Sequence, residues 1–132
     1  MAFCWAEHTA ELELQIRAPT ERAVFADALR ALGELLGDGA RARPRERRQL
    51  AVSAPDRPAL LALWLEELVF LAESEGFVAV ALESLELDDA NVRATVRGHL
   101  CAPPPLVKAV TYHRLDFSAV QGGYRATVVL DV

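Results

Sequence analysis

The chain has 132 residues, 52% of them hydrophobic and 25% charged, and carries a formal net charge of -5. A sequence of this length and composition can bury one core but not two, so it predicts a single domain over residues 1–132 and excludes disorder of the whole chain. The excess of acid over base excludes a general nucleic-acid scaffold, which needs clustered Lys and Arg to neutralise phosphates.

The opening MAFCWAEHTAEL has no basic segment followed by an apolar run. No later stretch approaches the ~20 apolar residues of a membrane span, so the expectation is a cytoplasmic protein with no membrane contact. Cys4 and Cys101 stand far apart without a CxxC partner, which supports neither a thiolate zinc site nor a disulfide framework. Both are expected reduced and packed, with a long-range bridge left open because sequence does not exclude proximity.

Along the chain, Leu12-Glu13-Leu14-Gln15-Ile16-Arg17 alternates apolar and polar and predicts a strand with one buried face. After Pro19, Thr20 can cap a helix in which Val24, Phe25, Ala28, Leu29, Leu32, Leu35 and Leu36 recur at helical spacing, ending at Gly37. Residues Gly37 to Arg48 contain Gly, Pro and five Arg but almost nothing apolar, and predict a solvated loop, with a basic patch for phosphate or for an acidic partner as the alternative. Alternation resumes around Leu50 and Val52 in a short strand over residues 49–53. Asp56 then caps a second helix, residues 58 to 75, with Pro58 in its first turn. Its apolar residues, Leu60, Leu61, Leu63, Trp64, Leu65, Leu68, Val69, Phe70 and Leu71, cover more than one stripe, which predicts the most buried helix.

Past Gly76 come four strand signals, Phe77 to Leu87, Val92 to Leu100, Val107 to Phe117 and Tyr124 to Val132. Asp88 to Asn91 and Gln121-Gly122-Gly123 separate them as hairpin turns, and Ala102-Pro103-Pro104-Pro105 as a loop. Strand, helix, strand, helix and then four strands in meander-like succession predict an α+β domain, a mainly antiparallel sheet covered by two helices.

The sequence contains no GxSxG elbow, no GxxxxGK[ST] loop, no GxGxxG after a strand and no HExxH. His8, His99 and His113 lie far apart, so any common site would have to be assembled by the fold; His8 is expected to make a structural hydrogen bond near the first strand and His99 to sit on a hairpin face. Trp64 and Tyr112 are expected in the core. Carboxylates offer more, because a hard cation collects oxygen ligands from side chains, carbonyls and a chain terminus. Asp131 beside the carboxylate of Val132 places two such groups within one residue.

Three stretches together resemble the archease family in order, spacing and residue type along nearly the whole chain. They are Glu7-His8-Thr9-Ala10-Glu11; Leu60 to Phe70 (LLALWLEELVF) followed by Glu75-Gly76; and Lys108-Ala109-Val110-Thr111-Tyr112-His113 followed by a Gly turn and a strand closing on Asp131-Val132. The resemblance implies the archease fold and an accessory, non-catalytic function. It implies activation of an RtcB-type RNA ligase, promoting guanylylation and multiple turnover in tRNA splicing or RNA repair, with RNA contacted only indirectly. It further implies a divalent cation, calcium first with magnesium or manganese as alternatives, held by Glu11, Asp131 and Val132, and contact with the ligase through Lys108 and His113. The chain departs from the family pattern at Glu11, where Asp is usual, at Leu63, where an acidic residue is common, and at Glu66, where Asn is usual. These departures motivate an alternative, a diverged archease-fold binding module without ligase activation.

Overall fold

The computed structural model describes residues 2–8, 11–37, 45–101 and 107–132. Its elements are β1 (Ala2–His8), β2 (Glu11–Ala18), α1 (Glu21–Gly37), β3 (Glu46–Ser53), α2 (Arg57–Glu75), β4 (Phe77–Leu87), β5 (Asn91–Leu100), β6 (Ala109–Val120) and β7 (Gly123–Asp131). The two helices and the antiparallel pairing of every strand are as the periodicities predict.

The strands divide between two sheets, one ordered β1-β2-β7-β6 and the other β3-β5-β4. The four final strands are therefore not one meander: β4 and β5 form a hairpin in the second sheet, and β6 and β7 a hairpin in the first. β1 is a strand that the alternation beginning at Leu12 does not include, and Phe3 and Trp5 pack partly against the core. β3 begins at Glu46, so Glu46, Arg47 and Arg48 belong to a ladder rather than a loop. The remainder of the predicted Arg-rich loop, residues 38–44, and the Ala102–Pro105 loop lie outside the described residues.

Local chemistry fixes the helix ends. The Ala23 N–H donates to Thr20 Oγ1 at 3.1 Å and the Ala59 N–H to Asp56 Oδ1 at 2.8 Å, so each helix has a side-chain cap on one of its free N–H groups. Gly76 closes α2 in the left-handed region at φ 68, its N–H donating to the Ala72 carbonyl at 3.1 Å. A Cβ there would lie 2.7 Å from the Cys101 carbonyl oxygen, so the position suits only Gly.

Each helix packs against both sheets, α1 on β4 and β2, α2 on β6, β4 and β3. That explains the broad apolar arc of α2: Leu60, Leu61, Ala62, Trp64, Leu65, Leu68, Val69, Leu71 and Ala72 are all buried. Trp64 sits at the centre with its Nε1–H donating to the Phe25 carbonyl at 3.0 Å, and its ring meets Phe25 edge-on with centroids 6.0 Å apart. On the first sheet Leu14, Ile16, Ala126, Val128 and Leu130 face this core. The opposite side of β2, carrying Glu11, Glu13, Gln15 and Arg17, is left to form a polar face. Among the described residues no helix is long and apolar enough to cross a membrane. Cys4 and Cys101 are free and exposed, which corrects the expectation that they pack.

Candidate functional site: carboxylates at one end of a polar sheet face

In antiparallel register Glu11 of β2 lies directly opposite Asp131 of β7. Asp131 lies opposite Ala109 of β6, and Glu11 opposite His8 of β1. One row of the sheet thus runs Ala109, Asp131, Glu11, His8, joining the beginning and the close of the chain. Directly opposed residues share a face, with Cβ atoms roughly 5 Å apart. The carboxylates of Glu11 and Asp131 accordingly emerge side by side, both half-buried. The Lys108 N–H donates to the Asp131 carbonyl at 2.7 Å, which ties the start of β6 to this end of the sheet. Val132 packs partly against the core and keeps the chain close to the row.

The next row is Thr111, Val129 and Glu13. Beyond Thr111 the β6–β7 register breaks: five steps along β6, Thr111 to Asp116, face two along β7, Val129 to Thr127, so β6 holds three extra residues. Tyr112, His113, Arg114 and Leu115 make up this bulge, and Arg114 adopts φ 58, the only positive value among non-glycine residues described. The conformation turns its guanidinium back over the acidic end. Arg114 Nε donates to Glu13 Oε1 at 3.1 Å, and its terminal nitrogen lies 3.7 Å from Glu11 Oε1. The network continues along the face as Gln15 Nε2 donates to Glu13 Oε2 at 2.6 Å and Cys4 Sγ to Gln15 Oε1 at 3.5 Å.

His113 is exposed within the bulge, its N–H donating to Thr111 Oγ1 at 3.3 Å, and the Lys108 side chain is exposed beside the Asp131 row. Tyr112 is 52% exposed, not a core residue as its type suggests, because the bulge lifts it off the ladder. Partial desolvation and the negative charges of Glu66 and Asp56 push its phenol above the ordinary tyrosine range. Sequence reasoning did not single out Glu13 or Arg114. The signal for Glu13 was present, since residues two apart on a strand share a face. That for Arg114 was only its place directly after the Lys108–His113 stretch.

A hard divalent cation takes six or more oxygens from carboxylates, carbonyls and water. Glu11 and Asp131 supply two carboxylates of the right kind on adjacent strands. Among the described residues no group of three His, Cys, Asp or Glu side chains is placed to hold a metal. Two carboxylates on adjacent strands are fewer than a closed protein cage for such a cation supplies, and one of them, Glu11, already faces the Arg114 guanidinium.

Fold and site together define a single α+β domain in which two antiparallel sheets enclose a helical core and one sheet end gathers carboxylates from the first and last parts of the chain. The chain belongs to the archease family: the profile of the Archease protein family (MTH1598/TM1083) matches residues 3–132. It is 28% identical over 137 residues to the Protein archease of Methanosarcina mazei, covering 97% of this chain and 94% of that one. It is 32% identical over 134 residues to the Protein archease of Methanopyrus kandleri, covering 96% of each. The solution structure of Methanobacterium thermoautotrophicum protein 1598 superimposes with a TM-score of 0.79 at 26% identity, covering 98% of both chains. A crystal structure from Thermotoga maritima, described as an archease and possible chaperone, shares the fold with a TM-score of 0.68 at 20% identity, covering 96% of this chain and 94% of that one.

Proposed function

We propose that this chain is a non-catalytic accessory protein that activates an RtcB-type RNA ligase, promoting its guanylylation and multiple turnover in tRNA splicing or RNA repair. Membership of the archease family over nearly the whole chain supports this reading. The observation that carries it is the register pairing of Glu11 with Asp131, because it brings residues 120 positions apart into one carboxylate pair. In this reading Glu11, Asp131 and Val132 hold a divalent cation, calcium first, with magnesium or manganese as alternatives. The cation supplies a localised positive charge with exchangeable oxygen positions. Lys108 and His113, exposed beside the carboxylate row and in the bulge, offer hydrogen-bond donors to the ligase. RNA is reached through the ligase, consistent with a net charge of -5.

The test is multiple-turnover RNA ligation by the ligase of the same cell, with and without this protein, beside calcium titration calorimetry. Stimulation is expected, with calcium binding weakened at least tenfold by Asp131→Asn and by residues appended after Val132. Absence of any stimulation by folded protein would leave the second reading, a diverged binding module. The ion pair between Arg114 and Glu11 favours that alternative, because it neutralises a proposed ligand from within the chain.

A further inference from the structure

The polar face of the first sheet changes sign along its length. Glu11, Glu13 and Asp131 occupy one end, and six residues further along β2, roughly 20 Å at strand rise, Arg17 lies directly opposite Arg125 of β7. Like charges directly opposed on neighbouring strands destabilise a ladder, and their Cβ atoms are only roughly 5 Å apart. One carboxylate answers the pair: Asp116 Oδ2 accepts from Arg125 Nε at 3.4 Å, while its other oxygen accepts from Ser118 Oγ at 2.7 Å. Among the described residues Arg17 has no ion-pair partner. Two guanidinium groups, with one carboxylate that contacts Arg125 alone, leave a net positive charge at this spot in a chain whose overall charge is negative.

The same residues line an open hollow of about 610 Å³, which Cys4, Gln15 and Thr127 also border and to which Phe3 and Ile16 add apolar surface. Its volume lies within the range of small-molecule sites, roughly 300–1,000 Å³, and exceeds what an inorganic ion fills. Guanidinium forks present paired N–H donors in the geometry that phosphate oxygens accept, and the Thr127 hydroxyl adds a donor between them and the centre of the face.

We propose that this hollow is a binding site for a phosphorylated small molecule, its phosphoryl group held between Arg17 and Arg125 and its body lying toward Gln15, Thr127 and Cys4. Binding converts a repulsive cross-strand pair into two charge-assisted contacts with one anion. Nothing in this proposal depends on the carboxylate end or on ligase activation, so the two stand or fall separately.

The experiment follows backbone amide and Arg Nε–H resonances of the full-length protein by NMR during titration with ribose 5-phosphate and, separately, inorganic phosphate, with sodium chloride added to matched ionic strength as control. Saturable shifts confined to Arg17, Arg125, Thr127 and their neighbours are expected, with the ester binding more tightly than the free anion. Arg17→Gln should weaken binding at least tenfold. Because it removes repulsion, it should leave the melting temperature without ligand equal to or above that of the parent chain, which separates lost binding from lost folding. Arg93→Gln, at an exposed position on the other sheet, should bind as the parent does. No saturable shift up to tens of millimolar ester, shifts reproduced by chloride, or equal binding by Arg17→Gln would each overturn the proposal.

Discussion

Arg114 holds a backbone conformation that non-glycine residues adopt at a cost of about 1–2 kcal/mol. The bulge around it directs its guanidinium onto Glu11 and Glu13, and Glu13 is nearly covered, its side chain 12% exposed. The Glu11 contact is longer and more open, with side chains 40% and 32% exposed, so solvent screens it. A cation at Glu11 and Asp131 would have to displace this contact or tolerate its charge. Arg114→Gln should therefore raise calcium affinity, by about two- to fivefold, because a screened ion pair of this kind contributes at most about 1 kcal/mol. Titration calorimetry reads the change; an affinity that stays level or falls would show that Arg114 supports the acidic end and does not compete for it.

Among elements, the β4–β5 hairpin shows how one carboxylate can order a turn. Asp88 Oδ1 accepts from the N–H groups of Ala90 at 3.0 Å and Asn91 at 2.8 Å and from the Asn91 side-chain amide at 3.0 Å. The Ala90 N–H, then the Asn91 side chain, hold its carboxyl below the usual aspartate range. A depressed folded pKa means that the unfolded chain binds the proton more readily. This contribution is thus fully present above the ordinary aspartate pKa of about 3.9 and is lost as pH falls through the lower folded value. Amide exchange at Ala90 and Asn91 should accelerate over that acidic window relative to Asp88→Asn, which carries no titrating group there; parallel pH profiles for the two proteins would refute the assignment. Turns and caps of this kind were legible because their chemistry is local: Asp56 at the start of α2, Gly76 at its end and Gly122, at φ 83, in the β6–β7 hairpin all sit where their residue types require. What local pattern did not carry was partnership. β4 to β7 follow one another as four alternating segments whether they form one sheet or two, and nothing in their spacing decides which. β1 was missed because its alternation rests on Phe3 and Trp5 alone. At the site, pairing of Glu11 with Asp131 was expected through family resemblance, while the Arg114 contact depends on a three-residue register shift that no spacing announces.

Across the whole molecule, the helices are the common support of both sheets, since each packs on strands of each. Leu61, Trp64 and Leu65 of α2 are fully buried, and the Glu11–Asp131 pairing lies in a sheet whose inner face, through Leu14, Val128 and Leu130, rests on that same core. The sheets should therefore lose structure together instead of one outlasting the other. Leu61→Ala removes buried volume with no polar consequence and should cost about 2–5 kcal/mol. For a chain of this size that lowers the melting temperature by on the order of 10 °C. Hydrogen exchange in the variant should show protection falling by a similar free energy in β2 and β7 of one sheet and in β4 and β5 of the other. Loss confined to β3, β4 and β5 would show that the first sheet, with its carboxylate row, folds as an independent unit. Under the cooperative arrangement, the calcium binding proposed for Glu11 and Asp131, measured well below the transition, should stay at the parental value, because the carboxylate pair is either present in register or absent with the whole fold.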